Sequence, residues 1–194
     1  MNTERQNLRD FQARLSERLK QAASGSMKAA HLGVQVGGQR LLIELAEAGE
    51  IVSLPATIAP VPLTHDWFKG LVNLRGSLYG VADLARFGGG EFTPTTKETR
   101  LVALSSRLHL NSAILVDRML GLQNPDAMTE AADDAAQVAD AADATAAPAP
   151  ASGFAAGAAS PWLGRRWRDA DGQCWTELSL ARLASDERFL AVAR

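Results

Sequence analysis

The residue types that do chemistry are few in this chain and poorly spaced for it. His31, His65 and His109 are its histidines. No two of them stand four apart, the spacing that would aim two imidazoles from one helix face at a metal. Cys174 is the single cysteine. Next to the strand-like text around Trp175, it reads as a small buried thiol rather than a nucleophile. One thiol makes no intramolecular disulfide and fits a reducing compartment. Gly88-Gly89-Gly90 lacks the following Lys-Ser/Thr of a phosphate-binding loop and reads as a turn. There is no Gly-x-Ser-x-Gly nucleophile elbow. The adjacent carboxylates Asp133 and Asp134 fall in a segment that cannot hold them in a fixed geometry. The expectation is a protein with no catalytic residues, no metal site and no cofactor.

The surrounding elements therefore have surfaces to position, not reacting groups. The chain has 194 residues, 46% of them hydrophobic, with a formal net charge of −2. That is enough for one packed domain with attachments, and it gives no clustered basic footprint for nucleic acid. No apolar run approaches the roughly 18 residues of a membrane helix, and the polar start has no signal-peptide core. A cytoplasmic protein is expected. Residues 1–26 form a helical leader in this reading: Leu8, Phe11, Leu15 and Leu19 recur at spacings of three and four. Thr3 and Gln6 match a capping box, and Ser24-Gly25-Ser26 closes the segment. Such a stripe packs on its own domain or serves as a docking helix for a partner.

From residue 27 onward the text is strand-like. His31–Val36 and Arg40–Leu45 flank Gly37-Gly38, a hairpin signal. Gly49–Leu54 is a further strand. Pro55, Pro60 and Pro62 then interrupt pairing, and Thr64–Gly70 is expected to form one helical turn closed by glycine. Leu71–Leu74 and Leu78–Ala82 read as strands on either side of Arg75-Gly76-Ser77. Asp83 is placed to cap a short helix through Phe87. Arg100–Leu104 and Ser112–Val116 make another pair, and Asp117 is a turn residue at the strand end. Residues 126–160 change character: sixteen of the thirty residues from Ala131 to Ser160 are alanine, and the stretch has six acids and no Lys or Arg. Without large side chains to bury, it cannot offset its ordering entropy and reads as a flexible acidic insertion. The tail from residue 161 is strand-like again and holds three of the four tryptophans. It is expected to complete the core begun before the insertion, so that 27–194 is one interrupted domain.

Several of these segments together resemble the CheW-like family. Gly70-Leu-Val-Asn-Leu-Arg-Gly-Ser-Leu-Tyr-Gly-Val-Ala-Asp-Leu84 is similar to the family's glycine-led Asn-hydrophobic-Arg-Gly segment and the strand that follows. Ile114–Leu122 is similar to its hydrophobic Val-Asp stretch, and Glu50-Ile51-Val52 to its acidic-aliphatic segment downstream of the opening hairpin. Trp175–Leu183 is similar to its closing strand and helix. The matches keep their order over everything except the leader and the insertion. Departures are Ala48, where the family has a bulky aliphatic residue, Gly80, where it has proline or valine, and the length of the insertion.

The resemblance implies an all-β fold of two packed SH3-like five-stranded barrels. It implies a non-catalytic adaptor joining methyl-accepting receptors to a CheA-type histidine kinase at receptor clusters on the inner membrane. The leader, the Trp67-Phe68 wording and the Asp169–Gly172 ending resemble the branch that serves type IV pili and twitching motility. It also implies that Arg75 and Glu50 lie together at the receptor-facing surface, with Asn73, Leu74 and Gly76 around them. A planar guanidinium suits that task, because it can pair with a carboxylate of its own chain and still offer donors to a partner. The plainer reading of the same two residues is an ion pair tying two strands together, and that of Asn73 is capping or bulge satisfaction through its amide. A generic SH3-like peptide-binding scaffold outside chemosensing is the alternative function.

Overall fold

The computed structural model describes residues 30–55, 57–131 and 160–194. The leader 1–26 and residues 132–159 of the insertion lie outside the described residues. The first hairpin forms as its glycines predict: β1 (His31–Val36) pairs antiparallel with β2 (Gln39–Glu44). Both turn glycines take positive φ, 55° and 82°, the conformation a two-residue hairpin turn requires. There follow β3 (Ala48–Ser53), β4 (Phe68–Leu74), β5 (Ser77–Asp83), the short helix α1 (Leu84–Phe87), β6 (Arg100–Leu104), β7 (Ser112–Val116), β8 (Arg118–Gln123) and β9 (Thr129–Ala131). After the insertion come β10 (Leu163–Arg168), β11 (Cys174–Leu178), α2 (Leu180–Ala184) and α3 (Glu187–Leu190).

The strands make two sheets. One has six strands in the order β8-β1-β2-β11-β10-β9, the other five in the order β3-β6-β7-β5-β4. This is the all-β, two-barrel architecture, with one short strand more than expected in the first unit. That strand is β9, paired with β10 through Thr129↔Arg168 and Ala131↔Arg166. Regular pairing thus reaches past residue 126, where composition had put the start of the insertion.

Side-chain alternation in the second sheet feeds two cores at once. Val102, Leu104, Ile114, Val116 and Ala82 face a large cluster shared with Val34, Val36, Leu41 and Ile43 of the first sheet. Leu101, Ala103, Ala113, Leu115 and Val81, the residues between them, face a second cluster with Val72. A strand with side chains alternating to opposite faces, both faces covered, reads as an unbroken hydrophobic run. The second sheet also closes on itself. β3 and β4 are its two edges, and Ala59, downstream of β3, exchanges both backbone hydrogen bonds with Leu71 of β4, at 2.8 Å each.

That seam explains a correction. Thr64–Gly70 is not a helical turn. Thr64 bridges Ala193, and the His65 N–H donates to the Val192 carbonyl at 2.9 Å, so the C-terminal tail holds this stretch open. β4 then begins at Phe68, and Gly70 lies inside it at a register shift, with φ 126°. A Cβ there would collide with the Ala59 carbonyl. Glycine at 70 is the condition for closing the barrel, not a helix stop.

The tail does enter the common core. Trp162, Leu178, Leu180, Leu183 and Phe189 are buried in the shared cluster. Phe189 stacks on Trp67 with centroids 5.7 Å apart and meets Phe87 edge-on at 5.3 Å. Each such side chain contributes about 1.5–3 kcal/mol by burial. Cys174 is exposed, not buried. The alternation that turns Trp175 inward, to 3% exposure, points its neighbour out.

Polar buried groups fix the joints. Asp83 is fully buried and caps α1: its carboxylate accepts from Arg86 N–H at 3.2 Å, Thr93 N–H at 2.9 Å and the Thr93 hydroxyl at 2.8 Å. Asp117, between β7 and β8, accepts from Gly38 N–H at 3.3 Å through one oxygen, while its other oxygen is buried with no hydrogen-bond partner among the described residues. Burial raises its pKa above 3.8, against the pull of the Gly38 and Gly37 N–H groups.

Two outcomes follow. Gly70→Ala should lower the urea midpoint by the equivalent of about 2 kcal/mol or more, from strained φ plus the collision; an unchanged midpoint would refute the seam. For Asp117 the folded pKa exceeds the unfolded one, so stability is lost as pH rises from 3.8 through the raised value. Asp117→Asn removes that loss, so its gain in Tm over wild type should be larger at about pH 7 than at about pH 3.5. A gain independent of pH would contradict the assignment.

Candidate partner-binding surface

The β4–β5 hairpin presents Arg75. Leu74 pairs with Ser77 in register, leaving Arg75-Gly76 as a two-residue turn. Both residues have positive φ, 49° and 89°, as the favoured hairpin turn demands. At Gly76 an added Cβ would meet nothing within 4 Å, so φ rather than space selects glycine. The Asn73 side-chain oxygen accepts from the Gly76 N–H at 2.8 Å and so holds a turn, rather than capping a helix or satisfying a bulge. Leu74 packs with Tyr79 against the second sheet's inner core and anchors the hairpin from below.

Glu50 arrives from the opposite edge of the sheet. Between Ala48↔Leu104 and Ile51↔Val102, β3 carries one residue more than β6. Such a bulge bends a strand and re-aims a side chain. Gly49 permits it, since a Cβ there would lie 2.9 Å from the Leu104 carbonyl oxygen. Sequence reasoning passed over Gly49, although a glycine inside a strand pattern is itself a bulge signal.

The two charges meet: Arg75 Nε lies 2.9 Å from Glu50 Oε1, with the Arg75 side chain 82% exposed and that of Glu50 32%. The terminal nitrogens of Arg75 bond to no other described residue. An exposed ion pair of this kind contributes about 0–1 kcal/mol. A non-glycine residue in the left-handed region costs about 1–2 kcal/mol. The arrangement therefore does not raise stability, and a strained, exposed arginine is the kind of outlier from which a function is inferred.

Apolar surface continues from the turn. Leu78, opposite Asn73, is 60% exposed. Two residues further along the same face, Gly80 opens onto a hollow of about 230 Å3 lined by Phe68, Ala82, Leu110, Leu190 and Val192. A side chain at Gly80 would begin to fill it, its Cβ 3.0 Å from the Phe68 ring. The sequence-predicted residues Glu50, Asn73, Leu74, Arg75 and Gly76 thus come together, while Leu78 and the hollow were not foreseen. His31, His65 and His109 lie in separate elements. Among the described residues no group of three metal-ligating side chains could hold an ion.

The CheW-like domain family matches this chain over residues 30–147. Protein PilI of Pseudomonas aeruginosa is 30% identical over 93 residues, 48% of this chain and 51% of that protein. Chemotaxis protein CheW of Thermotoga maritima is 33% identical over 73 residues, 38% of this chain and 47% of that protein. The matches span about half the length of these relatives. The crystal structure of scaffolding protein TtCheW from Thermoanaerobacter tengcongensis superposes with a TM-score of 0.57 over 79% of this chain and 90% of that one, at 15% identity.

Because the pair and the strain offset each other, Arg75→Asn, a residue tolerated at positive φ, should change unfolding free energy by no more than about 1 kcal/mol. A loss of several kcal/mol in urea unfolding would instead make the pair a structural tie.

Proposed function

Since this chain belongs to the CheW-like domain family, we propose that it is a non-catalytic adaptor that couples methyl-accepting receptors to a CheA-type histidine kinase. The pathway is a chemosensory one controlling type IV pili and twitching motility. The observation that carries this reading is Arg75, held at the hairpin tip in a strained conformation, bonded through Nε to Glu50 and otherwise open to solvent. Glu50 sets the plane of the guanidinium, and the remaining donors meet carboxylates or carbonyls on the receptor's helical tip. Leu78 and the hollow beyond Gly80 supply apolar contact beside that polar anchor, the division of labour common in protein interfaces. Another barrel face takes the kinase's regulatory domain.

Signal passes because the adaptor binds the two kinase states unequally. A ligand shifts an equilibrium only by its differential affinity for the two conformations. The site of action is the cytoplasmic side of receptor clusters at the inner membrane. No helix among the described residues is long and apolar enough to cross a membrane.

Reconstitution of receptor tip, kinase and this chain tests the reading. Wild type should enhance kinase phosphorylation, and Arg75→Ala, folded, should weaken receptor binding by about tenfold or more, as expected when a charge-assisted contact worth about 1.5–3 kcal/mol is lost. Equal binding of both forms would refute the role of Arg75. Binding of proline-rich peptide with no affinity for receptor or kinase fragments would favour a generic SH3-like module.

A further inference from the structure

The hollow beside β5 is built from aromatic side chains. At depth lie Trp67 and Phe189, stacked with centroids 5.7 Å apart, and Phe68 meets Trp67 edge-on at 6.1 Å. Leu110, Leu190 and Val192 complete the apolar lining, and Leu190 is 50% exposed. Asn111 and Ser112 fix the strand beside it. The Gly80 N–H donates to the Asn111 carbonyl at 2.9 Å, and the Ser112 hydroxyl donates to the Gly80 carbonyl at 3.3 Å. Gly80 pairs in register with Leu71 and Ser112. Its φ is not positive, so the backbone there accepts a side chain. The nearest group to an added Cβ is the Phe68 ring, 3.0 Å away, and the nearest backbone atom lies at 3.9 Å. Neither strain nor a backbone collision demands glycine at 80. What it does is leave apolar surface open to solvent.

The hollow measures about 230 Å3. An apolar cavity of about 150 Å3 in another protein admits benzene, so one ring fits. Aromatic walls favour an aromatic guest, since each edge-to-face or offset pair adds about two- to tenfold in affinity beyond burial. The position suits a partner that also meets Arg75. Gly80 lies four to five residues from the Arg75-Gly76 turn along one strand, with exposed Leu78 between. That is about 13–16 Å at roughly 3.3 Å per residue, the rise of between two and three turns of a helix laid along β5. Resting on the receptor reading above, we infer that the hollow receives one aromatic side chain from the same receptor helix whose acceptors meet Arg75. Gly80 is the residue that determines this specificity, because any side chain there occupies the guest's place.

The full chain gives two readouts. In the first, N-acetyl-phenylalanine amide is titrated into 15N-labelled protein. Shifts should centre on Gly80, Ser112 and Leu190 and saturate, with a dissociation constant at least about threefold below that of N-acetyl-leucine amide. Gly80→Val should weaken this binding about tenfold or more, and Leu190→Gln, at a half-exposed position outside the strand, about threefold. In the second, binding of a receptor signalling-tip fragment should fall about tenfold in Gly80→Val and about threefold in Leu190→Gln. No saturable shift, shifts centred elsewhere, a preference for leucine, or tip binding unchanged in both variants would overturn the inference and leave the Arg75 reading standing. Failure of wild type to bind the tip would overturn the receptor reading and this inference with it.

Discussion

The fold depends on strands β6 and β7 and the C-terminal half of β5 being buried on both faces. Their side chains alternate between a core internal to the second sheet and a core shared with the first. A slip of one residue would exchange every partner, so register in these strands is fixed twice over. The hairpin that carries Arg75 extends from β5, and the bulged strand that carries Glu50 hangs on β6. The precision of an exposed ion pair therefore comes from apolar packing well away from it, and the two charges need contribute nothing to stability themselves.

This separation suits a protein whose work is contact. A surface arginine can be held in a conformation costing about 1–2 kcal/mol only where the hairpin below it is over-determined. Here that support is Leu74 and Tyr79 against the inner core, and Asn73 bonded to Gly76. The neighbouring hollow has a similar origin. Gly80 withholds a side chain from the outer face of β5, and residues from the C-terminal tail supply part of the wall.

Much of this was legible in the sequence. Local pattern was enough for the β1–β2 hairpin, the β6–β7 pair, the Asp83 cap and the return of the tryptophan-rich tail to the core. Bringing Glu50 to Arg75 was not a matter of periodicity: they lie on opposite edges of one sheet, and only the family resemblance placed them together. What stayed hidden was non-local. Thr64–Gly70 looked like a helical turn because the tail segment that opens it, at Val192-Ala193, is far away in sequence. Cys174 looked buried because strand text does not say which of two faces is covered. Gly49 and Gly70 were visible as glycines, but their purpose appears only when the backbone each one admits, Leu104 or Ala59, is in place.

The order of the first sheet bears on how the chain comes off the ribosome. β11 lies parallel to β2, between it and β10, so a strand made late must enter beside one made early. The opening hairpin emerges with both outer edges unpaired: β8 later covers β1, while β2 waits for β11 until the whole second sheet and the acidic stretch are translated. Such long-range pairing is slow to form and leaves sticky edges exposed meanwhile. In the finished protein, then, the six-stranded sheet is the last part to be completed, though it contains the first strand to be synthesised.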